Sequence, residues 1–250
     1  MTRSICLNAD IGELPGEAGR ALDHAILDVV SRCSIACGGH AGDAESMAET
    51  LRMAKARGVL AGAHPSYADR EGFGRSRNNV SLPQLALSLK EQVASLLAIA
   101  AATDTQVRHI KPHGTLYNDA ARDGELATLT AALCVDAGIN TLLGPPASEL
   151  ERAAQAAGLT YVTEGFADRA YEPDLSLTPR ALPGAVLEDP AAQSAQALSM
   201  ALDQQVRVRT GTFIPIRVQT ICLHGDTPGA ARSAALLRAA LEQQGITIHP

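Results

Sequence analysis

Four histidines, His40, His64, His113 and His224, each sit just beyond a different short apolar run of the chain. Their surroundings are as polar as they are. Asn8-Ala9-Asp10-Ile11-Gly12-Glu13 follows the first run, and Cys37-Gly38-Gly39-His40 leads to Asp43 after the second. His64-Pro65-Ser66, Lys111-Pro112-His113-Gly114, Glu164-Gly165-Phe166-Ala167-Asp168-Arg169 and His224-Gly225-Asp226 complete the set. Imidazole changes charge near neutral pH, so such groups suit proton transfer when a carboxylate orients them. Neutral imidazoles and a carboxylate, here Asp10, His40, His64 and His113, equally suit a divalent zinc or manganese ion. No H-x-x-x-H or H-E-x-x-H spacing favours the metal, so the acid/base and metal readings stand side by side.

Several of these residues also have a purely structural use. Asp43 is placed to cap the following helix, and Asp226 with Thr227 to cap the last one. The glycines of the clusters suit tight turns. Cys33 and Cys37 read as small buried residues, and His24, His109 and His249 lie outside the clusters and are assigned no catalytic part.

The elements that must position these side chains alternate along the chain. Strands are expected at 4–8, 34–36, 59–63, 107–110, 141–143, 160–163, 220–223 and 246–248. Helices are expected near 22–31, 44–57, 82–103, 123–137, 147–157, 190–204 and 229–244. Ser81-Leu82-Pro83-Gln84 is a capping box with proline in the first turn, and Gly58 and Gly138 are helix stops. The stretches 64–80, 164–189 and 206–219 are too long for simple connections and are expected to be site loops. Repeated β-α units give parallel strands with right-handed crossovers. No G-x-G-x-x-G follows the first strand and no phosphate loop ending in Lys-Ser/Thr occurs, so a nucleotide-binding open sheet is disfavoured. Seven or eight units in one domain over 1–250 suit a distorted, TIM-like (β/α)7-8 barrel. In that fold the strand ends converge, so the polar clusters would share one crevice.

Composition narrows the ligand. Net charge is −6 and the three lysines, Lys55, Lys90 and Lys111, do not cluster, so no nucleic acid is expected as a partner. Five cysteines without a C-x-x-C pair read as reduced thiols of a cytoplasmic protein. The apolar run 85–102 is broken by Lys90, Glu91 and Gln92, and no membrane association is expected.

Taken together, the strings from Leu7-Asn8-Ala9-Asp10-Ile11-Gly12-Glu13 to Cys222-Leu223-His224-Gly225-Asp226 resemble the LamB/YcsF lactam-utilisation family, known as the A subunit of 5-oxoprolinase. The resemblance covers essentially the whole chain and implies a distorted barrel of the glycoside hydrolase/deacetylase type. It implies ATP-dependent opening of the 5-oxoproline (pyroglutamate) lactam to glutamate, ADP and phosphate, with ATP as a Mg-bound co-substrate. It also implies two partner chains, the B and C subunits of 5-oxoprolinase. Two positions depart from the family pattern: Gly39 stands where Phe is usual, which would open space beside His40, and Leu175 replaces a turn glycine, although Leu resists positive φ.

For such a reaction Asp10, His64 and His113 are the expected acid/base centre, with His224 and Asp168 as further proton-moving groups. Arg169, Arg75 and Arg180 would pair with the substrate carboxylate, and Lys111 would neutralise a phosphate or an oxyanion. His40, Asn8 and Glu13 are further candidates for substrate contact. A metal-dependent amide or carbohydrate deacetylase acting without ATP, and a scaffold that only docks partners, are the competing functions.

Overall fold

The computed structural model describes residues 3–77, 79–225 and 229–250. Within them the chain runs β1 (Arg3–Ile11), α1 (Gly16–Leu27), β2 (Arg32–Ala36), α2 (Ala44–Arg57), β3 (Leu60–His64), α3 (Leu82–Ala102), β4 (Val107–Ile110), α4 (Gly114–Ala120) and α5 (Gly124–Asp136). It continues through β5 (Thr141–Gly144), α6 (Glu149–Ala156), β6 (Thr160–Phe166), α7 (Pro190–Leu198), a π-helical turn (Ser199–Asp203), β7 (Gln205–Arg207), β8 (Phe213–Pro215), β9 (Thr220–His224), α8 (Ala230–Gln243) and β10 (Ile246–Ile248).

Seven parallel strands close into a barrel in the order β1-β2-β3-β4-β5-β6-β9, and β9 pairs back onto β1. The expected eighth strand, β10, stays outside the ring. It adds to the first residues of β1, pairing Arg3 with Ile246 and Ile5 with Ile248. The antiparallel pair β7–β8 begins at Gln205 and falls almost wholly within the stretch 206–219 expected to be a site loop.

Strand alternation explains both surfaces of the barrel wall. On β1, Leu7, Ala9 and Ile11 are fully buried in the hydrophobic core, together with Ile26 and Leu27 of α1. The intervening Asn8 and Asp10 face the other way. There they meet Thr220 and Cys222 of β9, Glu164 of β6 and Lys111, which directly follows β4. Arg32 and Ser34 of β2 hydrogen-bond His109 of β4. The lumen is therefore filled by hydrogen-bonded polar side chains rather than the branched aliphatic layers common in such barrels. Gly62 on β3 is required there: a Cβ would lie 2.2 Å from His109 Nε2.

The helix signals work locally as their chemistry dictates. Asp43 caps α2, accepting from the Ser46 N–H while Ser46 Oγ accepts from the Asp43 N–H. Gln84 Oε1 accepts from both the N–H and the hydroxyl of Ser81 at the start of α3. Gly58 ends α2 in the left-handed conformation, with φ +69°. By length and composition α3 is apolar enough to cross a bilayer. Its apolar residues have a different use, since Leu85, Leu89, Val93, Leu96 and Ala100 are buried in the barrel core. Leu175 does take a positive φ, +66°, donating its N–H to Glu172 O while its side chain packs on the core. The strain of a left-handed L residue, about 1–2 kcal/mol, is thus partly offset by burial. The Asp226-Thr227 cap lies outside the described residues.

Candidate functional site

The polar lumen opens at the C-terminal ends of the strands, and the register sets its geometry. Asp10 lies beside His224, and Ala36 beside His64. At the base of the opening the Lys111 ammonium is fixed. Its Nζ lies 2.9 and 3.1 Å from the two Asp10 oxygens, 3.4 Å from Asn8 Oδ1 and 3.2 Å from Cys222 Sγ. Glu164 Oε1 is 2.9 Å from the same nitrogen, although neither Glu164 oxygen accepts a well-aligned hydrogen bond. Burial opposes the Lys111 charge, but the Asp10 and Glu164 carboxylates outweigh it and hold the amine protonated. Burial likewise opposes ionisation of Asp10, and the nearby His64 and Lys111 reverse this, keeping Asp10 well below the usual carboxylate range.

Above this layer His40, His64 and His113 gather around Glu13. Glu13 Oε1 lies 3.0 Å from His40 Nε2, 3.2 Å from His113 Nδ1 and 3.8 Å from His64 Nε2. His64 Nε2 is also 2.9 Å from His113 Nδ1 and 3.3 Å from Asp10 Oδ2. The His40 and His113 rings stack with centroids 3.6 Å apart. Burial works against the Glu13 carboxylate, yet the adjacent His113 and His40 pull it far down, so it is ionised. Burial pushes His113 down and takes His40 down to about 4, so both rings are neutral near pH 7. Ligand atoms of Glu13, His40, His64 and His113 all lie within 4.8 Å of one another, a grouping able to hold a metal ion.

Opposite stands a second proton-handling pair. The Asp168 carboxylate accepts from His224 Nδ1 at 2.8 Å and from the His224 backbone N–H at 3.1 Å. This fixes the Nδ1–H tautomer and leaves the lone pair on Nε2, the arrangement a general base needs. Burial raises the Asp168 pKa, but the adjacent His224 outweighs it and lowers the group overall.

A cavity of about 450 Å³ brings together Asp10, His64, Lys111, His113 and His224 with Arg75, Arg122, Arg169 and Arg180. Glu13 and His40 instead line a second cavity, of about 470 Å³, which shares no residue with the first. Phe73, on the loop 64–80, lines that second cavity and packs edge-on to both His40 and His113. Arg169 is buried, donating through Nε to Ala185 O and through Nη2 to Thr178 O, so it also fastens the loop that carries Arg180. Asn8 lines neither cavity. It is fully buried, donating to Thr220 Oγ1.

Sequence reasoning overlooked Arg122 and Phe73, and it gave Glu164 no role although the residue stood in one of the polar clusters. The inward phase of β6 was the available signal for Glu164, two residues before Phe166 on the same face. Gly39 behaves differently from the expectation of open space beside His40. A Cβ there would lie 2.4 Å from Gln92 Oε1 and 2.5 Å from Ser66 Oγ. The Gln92 amide fills the gap, accepting from Ser66 N and donating to Ser66 O. Gly39→Phe is therefore expected to lower stability by about 2–4 kcal/mol through overpacking and loss of these bonds. Gly39→Phe combined with Gln92→Ala should recover at least half of the loss in a denaturant-unfolding cycle; additive losses would contradict this packing.

Asp23, 7% exposed, accepts the Gly12 N–H at 3.1 Å and so anchors the turn that presents Glu13. Burial raises its pKa to about 7. The folded state then binds an extra proton between pH 4 and 7, so stability falls as pH rises through that window. Asp23→Asn should flatten this slope, giving about 2–4 kcal/mol more stability than the unsubstituted protein at pH 8 but little at pH 4. Melting curves at the two pH values measure it.

The arrangement can bind a small anion and move protons on both sides of it. Comparison with known proteins agrees in fold and in sequence. The chain is 47% identical over 250 residues to the 5-oxoprolinase A subunit of Methylococcus capsulatus, covering 99% of this chain and 96% of that protein. It is 46% identical over 246 residues to that of Chloroflexus aggregans, covering 98% of each. The crystal structure of a lactam utilization protein from Thermus thermophilus superposes with a TM-score of 0.88 at 36% identity, covering 98% of this chain and 99% of that one. Residues 5–250 match the LamB/YcsF family model, and the chain belongs to the LamB/YcsF family.

Proposed function

We propose that this chain is the A subunit of a 5-oxoprolinase, and that its arginine-rimmed cavity opens the 5-oxoproline lactam to L-glutamate in a reaction coupled to ATP hydrolysis. One observation carries the reading: in a chain related end to end to proteins named as the A subunit of 5-oxoprolinase, Asp10, His64, His113 and His224 face four arginines across about 450 Å³. That volume suits a small ring bearing a carboxylate.

An unstrained lactam is a poor electrophile, and phosphorylation of its oxygen by ATP makes the ring carbon attackable. One water adds to that carbon, the C–N bond breaks as the ring nitrogen takes a proton, and a second water releases phosphate from the acyl phosphate. The products are glutamate, ADP and phosphate. Arg75 and Arg180 bind the substrate carboxylate, and Arg169 fastens the loop that carries Arg180. The His64–His113 pair beside Asp10 removes the proton from the attacking water. His224, oriented by Asp168, takes up a proton on its Nε2 lone pair and passes it to the departing nitrogen. Lys111, already paired with Asp10 and Glu164, contributes its positive field rather than a free ammonium. Mg-bound ATP is used within an assembly with the B and C subunits.

The test is glutamate formation from 5-oxoproline by the chain alone and by the chain combined with the B and C subunits, with and without ATP. Turnover that requires ATP and all three chains supports the proposal. ATP-independent hydrolysis of an N-acetylated sugar or linear amide by the chain alone would replace it with the deacetylase reading.

A further inference from the structure

We propose that Glu13, His40, His64 and His113 form a binding site for a divalent metal ion of the zinc class. Backbone carbonyls settle which imidazole nitrogens carry hydrogen. His64 Nδ1 lies 2.7 Å from Lys111 O, and His113 Nε2 lies 2.9 Å from Phe73 O. A carbonyl oxygen only accepts, so each of these nitrogens is the N–H donor. The lone pairs are therefore on His64 Nε2 and His113 Nδ1, and these two atoms face each other at 2.9 Å. The Glu13 Oε1 oxygen, another acceptor, is 3.2 Å from one and 3.8 Å from the other.

Acceptors thus converge on acceptors, and a cation must lie among them. A single proton shared by the two histidines would satisfy that pair alone. It would leave Glu13 with His40, whose Nδ1 is buried without a partner. A metal ion held by His40 Nε2, His64 Nε2, His113 Nδ1 and Glu13 Oε1 engages all four groups together, with His40 Nδ1 left as the one unpartnered ring nitrogen among them. Four of the six ligand separations, 2.9–3.8 Å, bracket the roughly 3.3 Å edge expected between ligands of a tetrahedral ion bound at 2.0–2.1 Å, and the ligand atoms of the four residues all lie within 4.8 Å of one another. The carbonyls of Lys111 and Phe73 are the outer partners that orient metal-binding imidazoles. Three imidazoles and one carboxylate suit zinc, cobalt, iron or manganese, and disfavour calcium and magnesium.

When bound, such an ion would polarise a water or a carbonyl oxygen at the wall between the two cavities. The proposal goes beyond the lactam reading and does not depend on it, because metal binding is read without any turnover. With an ion bound, the lone pairs of His64 and His113 would hold the ion, and the ion would supply the activation of water that the free histidine pair otherwise supplies.

The full-length chain, freed of metal with a chelator and verified as folded by circular dichroism, is titrated with Co²⁺ while visible absorption is followed. Zn²⁺ then competes for the same site. One equivalent of Co²⁺, with ligand-field bands lost on adding Zn²⁺, is expected. His64→Ala and Glu13→Gln should each weaken binding about 100-fold or more, while His249→Ala, near the C-terminus, should leave it unchanged. X-ray absorption of the zinc-loaded unsubstituted protein should show imidazole nitrogens and a carboxylate oxygen, which keeps the test decisive if a variant fails to fold. Less than a tenth of an equivalent bound, equal binding by the variants, or a shell lacking imidazole would overturn the proposal.

Discussion

Lys111→Met is expected to destabilise the folded chain by about 3–5 kcal/mol, the usual consequence of removing one partner from a buried ion pair. The ammonium is 1% exposed and lies between Asp10 and Glu164, which are 5% and 1% exposed. Methionine matches the stem in volume but leaves two carboxylates in the lumen without a counter-charge. Burial then favours their protonated forms, so the folded variant binds protons that the unfolded chain does not. Its stability should therefore fall as pH rises from 5 to 8, a steeper fall than in the unsubstituted protein. At pH 8 the loss corresponds to a melting temperature lower by about 10 °C or more for a chain of this size. Lys111→Met with Glu164→Gln should regain part of it. A Lys111→Met protein that melts within 2 °C of the original would show that the lumen is wetter or less strongly paired than the structure indicates.

Asp168→Asn should lower kcat of the assembled enzyme by about 10³–10⁴-fold with little change in KM. The matching carboxylate-to-amide change in a serine-protease triad costs about 10⁴-fold in kcat. Asp168 fixes His224 through the Nδ1–H bond. The amide of an asparagine can instead donate to Nδ1, which moves the proton to Nε2 and removes the lone pair from the nitrogen assigned to catalysis. Packing should hardly change, because the side chains are nearly isosteric. The check is a paired measurement of steady-state kinetics and melting temperature. A loss of activity without a loss of stability is expected. A loss below tenfold would remove His224 from the proton-moving groups.

Much of this architecture was legible in the residues alone. The β-α alternation gave seven barrel strands in the right order, because parallel strands buried on both sides must be short apolar runs separated by helices. The capping chemistry at Asp43 and Ser81 set the starts of α2 and α3 within a residue. The start of α1 was missed by six positions, since Gly16 to Arg20 has no apolar stripe and Pro15 at its N-cap makes no side-chain bond. Helix α4 escaped for a similar reason, having only seven residues directly after the histidine cluster. The β7–β8 pair could not be read because it is two three-residue strands joined across an irregular turn.

For the site, convergence was readable and partition was not. The fold itself brings strand ends together, so Asp10, His64, His113 and His224 were expected to meet, and they do line one cavity. That Glu13 and His40 open to the other side depends on how the loop around Phe73 folds back, which no local pattern encodes. The same holds for Lys111, where the sequence shows a lone lysine at a strand end. Only the closed barrel places Glu164, from a strand two positions away, against it. Gly39 shows the limit most clearly, since the space its missing side chain leaves is taken by Gln92 from α3, fifty-three residues later.

One experiment bears most directly on whether lactam opening happens in this barrel: the rate of ATP-dependent glutamate formation from 5-oxoproline by the three-subunit enzyme carrying His113→Ala in this chain. A fall of about 10²–10⁴-fold, with the assembly intact by gel filtration, is the result predicted for a group that moves protons at the reacting carbon. A near-normal rate in an intact assembly would place the lactam chemistry outside this barrel.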